Sequence, residues 1–270
     1  MNGPIAQLVA LTCRGNTSLQ GRRPPTPFFP DHSTCRFCDR VAFVAPTRTW
    51  FGRGPARVVA ATPDAWFEWL REARVRSLRM MREPQRHPLA SDRMTAGFAN
   101  GGGNWLLSAF DGESSNHWLA HWDVWNREAP AQRIWRVDYR LVRRSSGRDP
   151  TPDVDAVTAA LRLALADIRD FSAAHDCDPF TGNFDRALAA LDGAAPAPDY
   201  HADLFEPGML SDAATWLLAA AGHASVFGGM GSWNDLGFSG DAQATYERVS
   251  EALFAAVNAA LCAAANSTAQ

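Results

Sequence analysis

Two short stretches carry side chains whose types and spacing suit chemistry. The first is His32-Ser-Thr-Cys35-Arg-Phe-Cys38. Two thiolates separated by two residues can grip one zinc ion from a tight turn, and His32 with Cys13 would complete four ligands. A single C-x2-C without a second matching pair is equally met by ordinary half-buried thiols. A thioredoxin-like redox motif fits less well, because its second cysteine stands at a helix start, whereas Val41-Ala-Phe-Val44 continues here as a strand.

The second stretch is Val226 to Phe238, VFGGMGSWNDLGF, with four glycines among thirteen residues. Glycine weakens both helix and strand, so this is a loop. Its apolar residues pin it to the body of the domain. Candidate binding residues are Gly228, Gly229, Met230, Gly231, Ser232, Trp233, Asn234 and Asp235. In an enzyme, Asp235 would be the acid or base while amides near Gly229 and Gly231 hold an anion. In a plain connection between helices, Trp233 points inward and the loop caps the next helix.

Two further clusters weigh less. His117, His121 and Asp123 share one face of a strand, but a hairpin placing Val124 opposite Trp135 sets Asp123 against Arg136 and His121 against Asp138. Complementary cross-strand pairs then account for them. The run His175-Asp-Cys-Asp178 is poor for chelation, since consecutive side chains diverge.

Other chemistry is excluded by composition. All 26 basic residues are arginine. Without lysine there is no Schiff base to pyridoxal phosphate, no P-loop lysine and no kinase strand lysine. The motifs G-x-S-x-G, H-E-x-x-H and a properly placed G-x-G-x-x-G are absent as well.

The elements that must position these residues follow from pattern. Ile5 to Cys13 reads as an opening strand, and residues 14–34 as turns. Strands follow over 41–51 and 57–61, then a helix capped by Thr62 with Pro63 at its first position. Further strands are expected at 77–82 and 105–110, with a short helix from Ser91 to Ala99. Residues 117–126 and 133–143 alternate strictly. Trp118, Ala120, Trp122 and Val124 should form one core face with Trp135, Val137, Tyr139 and Leu141. Past SSGRDPTP at 145–152, helices dominate. One is capped by Thr151 with Pro152, one by Asp178, one spans 211–221, and the last is capped by Ser239 or Asp241. The expected fold is α+β, an antiparallel sheet from the N-terminal half covered by helices from the C-terminal half. A basic, strand-rich unit at 1–148 is separated from an acidic, helical unit at 149–270.

That division is sharp in charge. Residues 1–148 hold 22 arginines against 12 acids (+10), and residues 149–270 hold 4 against 17 (−13). The halves could dock, or the basic half could receive an acidic partner. No stretch of about 18 apolar residues suggests a membrane span, and the N-terminus lacks a basic signal region, so the expected location is the cytoplasm. Five cysteines argue against a disulfide framework. The abundance of alanine and arginine suggests a GC-rich, bacterial genome. The expectation is a macromolecule-binding protein without catalysis, of the bacterial immunity or antitoxin type, whose partner is an acidic or mixed-charge protein such as a toxin. Nucleic acid is not the expected partner. No cofactor is expected beyond a structural zinc at Cys35, Cys38, Cys13 and His32. The alternative is an enzyme built on loop 226–238 with Asp235 as acid or base.

Overall fold

The opening segment is a helix where the pattern suggests a strand. The computed structural model describes residues 1–22, 26–49, 52–85, 90–98, 101–147, 149–150, 153–195 and 201–269, and helix α1 runs Gly3–Leu19. The Asn2 side chain caps it by accepting the Ile5 amide, with proline in the first turn. Every residue from Ala6 to Ser18 is buried. A helix enclosed on all sides has no polar face, so the 3.6-residue period that would reveal it is missing. Thr12 and Thr17 donate to the Leu8 and Cys13 carbonyls, and Gln7 donates to the Thr34 carbonyl while accepting from the Tyr139 hydroxyl.

Strands β1 (Cys38–Thr49) and β2 (Gly52–Ala60) form a hairpin whose tip, with Trp50 and Phe51, lies outside the described residues. Thr62 caps α2 (Pro63–Glu72) through the Ala65 amide, as its Thr-Pro-Asp start predicts. Next come β3 (Ser77–Glu83), α3 (Asp92–Thr95), β4 (Asn104–Phe110), β5 (Ser114–Val124) and β6 (Trp135–Ser146). Ser91 caps α3, but the helix stops short of Ala99.

The fold is α+β, but the sheet is mixed and not purely antiparallel. Its order is β2-β1-β6-β5-β4-β3, and β1 pairs with β6 in parallel. The cause is α2. A helical crossover returns the chain in its earlier direction, so β3 runs the same way as β2 on the far side of the sheet. Three antiparallel steps then bring β6 beside β1 pointing the same way. The β5–β6 register is the one read from alternation: Val124 faces Trp135, Asp123 faces Arg136 and His121 faces Asp138. The ion pairs go elsewhere, however, with Arg136 on Asp39 and Asp138 on Arg40.

The sheet's inner face holds a stack in which Phe43 lies 4.0 Å from Trp66 and 5.0 Å from Tyr139. Trp118 meets Phe43 and Trp66 edge-on. This face is core at Trp118, Val137 and Tyr139, but it is exposed by Val124.

The C-terminal half folds as α4 (Val154–Ala174), α5 (Asp178–Leu191), α6 (Asp212–His223) and α7 (Asp241–Asn266). Asp153 caps α4; the expected cap Thr151 and Pro152 lie outside the described residues. Asp178 takes the first position of α5 and Cys177 the capping one. Gly240, with φ 59°, precedes α7 where Ser239 or Asp241 was expected to cap, and Gln243 reaches back to accept the Phe238 amide. Helices α4 and α6 both pack on α7, and α1 and α7 both reach β3. By length and composition α7 could cross a membrane, yet 72% of its most apolar window is buried inside the fold.

Candidate binding surface around the glycine-rich loop

Trp233 organises the glycine-rich loop from inside. Its indole is fully buried, edge-on to Phe180 and Phe184 at 5.2 and 5.4 Å, and donates through Nε1 to the Ser250 hydroxyl at 2.7 Å. Its carbonyl accepts from Tyr246, and its amide donates to Val226 across the loop. Burying an indole that also keeps its N–H paired stabilises the segment by roughly 2 kcal/mol or more.

The polar residues expected to face a ligand are spent locally. Ser232 caps the short 3-10 turn Trp233–Asp235. Asp235 accepts the Gly231 amide, so one of the two amides expected to hold an anion is already occupied. Gly231 itself has φ 80°, which admits glycine readily. Asn234 accepts from the Arg93 guanidinium at 2.9 Å and donates to the Arg93 carbonyl at 3.0 Å. Arg93 in turn donates to Glu251 on α7.

These bonds clamp the loop onto α3, and just beyond that helix the two backbones touch. A Cβ on Gly97 would lie 2.3 Å from the Gly228 oxygen, so the contact requires glycine. Three large apolar side chains on these two segments are exposed: Met94 by 53%, Phe98 by 73% and Met230 fully. Gly229 and Gly231 leave open space around them, whereas a Cβ on Gly228 would touch Ser232 at 3.9 Å. Of the eight expected binding residues, Met230 is therefore presented outward, Trp233 anchors, and Ser232, Asn234 and Asp235 hold the loop's shape. Met94 and Phe98 were missed. Their signal is an apolar residue beside Gly97 in a stretch read as a short helix from Ser91 to Ala99.

The expected metal ligands lie elsewhere. Cys13, Cys35, Cys38 and His32 are all buried. The Gln7 carboxamide donates toward both the Cys35 and Cys38 sulfurs, at 3.7 and 3.9 Å, so this pair is adjacent. Burial pushes Cys13 and Cys38 up to about 12 and Cys35 higher still. His32 stacks on Phe28 and uses both ring nitrogens, on the Thr34 hydroxyl and the Asp203 carbonyl. Among the described residues no three potential ligands converge. His121 and Asp123 form an exposed pair at 3.2 Å, while His117 is buried against Ser145. His175 stacks on Phe171.

One constellation was invisible in the sequence. Ser33, His201 and Asp203 meet, with the Ser33 hydroxyl 2.8 Å from His201 Nδ1 and also on Asp203. The order is wrong for a nucleophile relay, in which the imidazole would stand between serine and carboxylate. Burial would raise the Asp203 carboxyl, but the Ser33 hydroxyl and amide bind it and hold it below its ordinary value. The Ser33 hydroxyl donates its hydrogen bond to the ionised carboxylate, so His201 Nδ1 is the donor to the Ser33 oxygen. The cluster ties the turn at Ser33–Cys35 to the C-terminal half.

Among the described residues, two arginine–carboxylate pairs link the halves, beside the contact of His32 with Asp203. Arg14–Glu206 and Arg93–Glu251 cross between them, whereas Arg40, Arg82, Arg136, Arg143 and Arg144 pair with acids of their own half. No protein-family model, curated protein or solved structure matches this chain.

Proposed function

We propose that this is a cytoplasmic macromolecule-binding protein without catalysis, comparable to bacterial immunity and antitoxin proteins, whose partner is a protein of acidic or mixed charge. The supporting observation is the Met94–Phe98–Met230 surface. Three exposed apolar side chains stand on two cross-braced segments, exposed apolar surface is what partners bury, and methionine adapts well to another surface. Among the described residues Arg14 and Arg93 pair across to the acidic half, and the excess of arginine over acids in the basic half supports an acidic partner. In this reading the C-terminal helices cover one face of the sheet as a support for the patch, and no cofactor is expected beyond a structural zinc at the buried Cys35, Cys38, Cys13 and His32. The enzyme alternative, with Asp235 as acid or base, draws no comparable support, since that carboxylate serves the Gly231 amide.

The test places a photo-crosslinking residue at 98, at 230 and, as a control, at the exposed Leu163 of α4, in cells of the native host. A protein captured from 98 and 230 but not from 163 should bind the purified chain. A Phe98→Ser/Met230→Ser variant should weaken that binding by about tenfold or more, roughly 1.4 kcal/mol, with its melting temperature unchanged. Capture equal at all three positions, or binding unaffected by the double substitution, rejects the proposal.

A further inference from the structure

A second surface is formed by the turn around Ser33–Cys35 and the one at Pro130–Arg133, which bound an open cleft of about 460 Å³. Arg36 and Arg133 both line it. Neither guanidinium has a carboxylate partner among the described residues, although Arg40 and Arg136 nearby are both paired. The Arg36 guanidinium rests 5.6 Å over the Phe37 ring, which is itself 45% exposed. Arg133 is half-buried, and its charge favours the thiolate of neighbouring Cys38. It follows two consecutive non-glycine residues held left-handed, Ala131 at φ 54° and Gln132 at φ 55°, a conformation the surrounding structure must impose.

We propose that this cleft binds a small molecule bearing an oxyanion, phosphate or carboxylate, between Arg36 and Arg133. Guanidinium groups suit planar or tetrahedral oxyanions because they donate several N–H bonds in a fixed fork. The Phe37 ring adds an apolar wall for an aromatic ligand body. Asp31, also in the lining, repels a second anionic group and accepts from a ligand hydroxyl. The cleft's volume is in the range that holds metabolite-sized molecules.

None of these residues belongs to α3 or the glycine-rich loop, so this inference and the proposed function stand or fall separately. Calorimetric titration of the full chain with phenyl phosphate, benzoate and inorganic phosphate at fixed ionic strength tests it. Saturable binding is expected, weakened at least about tenfold in Arg36→Gln/Arg133→Gln and unchanged in Arg40→Gln. Preference for phenyl phosphate identifies a phosphate ester, and preference for benzoate a carboxylate; both support the site. If the double variant does not fold, Arg36→Gln alone gives the answer, because that side chain is exposed. No saturable binding of any of the three probes, or equal binding by the arginine variants, overturns the proposal.

Discussion

The sheet's two edges are finished in opposite ways. At β3, Leu78 and Met80 turn their peptide groups away from β4, and two buried asparagines receive them. Asn16 of α1 accepts the Leu78 amide at 2.7 Å and donates to its carbonyl at 2.9 Å. Asn266 of α7 does the same for Met80, at 2.8 Å each way. A carboxamide copies a peptide unit, so helices from the two ends of the chain supply the strand that β3 lacks. The approach is close enough that a Cβ on Gly15 would overlap the Leu78 side chain at 2.2 Å. At β2 the edge is guarded by composition. Pro55 has no amide to offer, Arg57 and Val58 are exposed, and two register shifts distort the ladder to β1. A buried edge must satisfy its polar groups inside the protein, whereas an exposed edge needs only to discourage unwanted pairing.

The strongest way to break this contrast is Asn266→Ala. It leaves a buried N–H and a buried carbonyl at Met80 without partners, and each costs about 1–3 kcal/mol, so a loss of about 2–6 kcal/mol is expected. Chemical denaturation measures it. Asn266→Asp should be nearly as damaging, because a carboxylate accepts the amide but cannot donate to the carbonyl. A loss below about 0.5 kcal/mol in both would show that the carboxamide does not complete the edge.

Acid should reach the β3 side of the sheet through His117. Burial lowers its pKa below the ordinary 6.5, opposed by Asp149 and Glu83 and assisted by Arg143. A base with a depressed folded pKa takes its proton first in the unfolded chain. The stability it contributes is therefore complete above about 6.5 and declines as pH falls toward the folded value. His32 and His201 shift the same way, also through burial. The melting temperature should fall between about pH 7.5 and about pH 5.5, and by a smaller amount in His117→Gln. An identical fall in that variant would assign the effect to the other histidines.

What could be read from sequence were the elements whose signals are local. The Thr62-Pro63-Asp64 start of α2 and the strict alternation of β5 and β6 needed no knowledge of distant residues, and even the register that sets Val124 opposite Trp135 followed from that alternation, although the charges it places face to face pair elsewhere. The inward Trp233 was legible because glycines beside so many apolar residues cannot form a free tether. The failures share a cause. Burial on every side erased the period of α1, the parallel pairing depends on how α2 returns the chain, and the asparagine seals need Asn16 and Asn266 beside one strand. The candidate surfaces failed likewise: Gly97 meets Gly228, and Arg36 and Arg133 come to line one cleft, only after folding.

Ion pairs should repeat the contrast between the two sides. On the β3 side, Arg82 pairs with Asp92, donates to the Gly102 carbonyl at 2.9 Å and lies 5.1 Å over the Phe254 ring, with little of either charged side chain exposed. On the open side, Arg40 meets Asp138 at 2.6 Å with its own side chain 42% exposed. Arg40→Ala is expected to cost about 0.2–1 kcal/mol, and that cost should shrink toward 1 M salt as screening replaces the pair. Arg82→Ala should cost more and keep its effect in salt, since it also removes packing and a bond to a carbonyl. Denaturation curves at low and high sodium chloride compare the two directly. Equal cost and equal salt response would erase the distinction.

The smallest effect on stability is expected at the open edge itself. Pro55→Thr gives β2 an amide and a residue favoured in strands, in a position where the native side chain is exposed. Folding stability should move by less than about 0.5 kcal/mol, because no buried partner is lost. Association should change instead. With proline gone, an obstacle to pairing with another edge disappears, and exposed Val58 offers apolar surface for a second copy to cover. Sedimentation velocity at increasing protein concentration should show a concentration-dependent dimer for Pro55→Thr that the unaltered chain lacks. Adding Val58→Lys to that variant should reverse it, because a charge on the edge restores the barrier. If Pro55→Thr sediments like the unaltered chain throughout, the register shifts and Arg57 suffice to guard β2, and the proline is there for the hairpin alone.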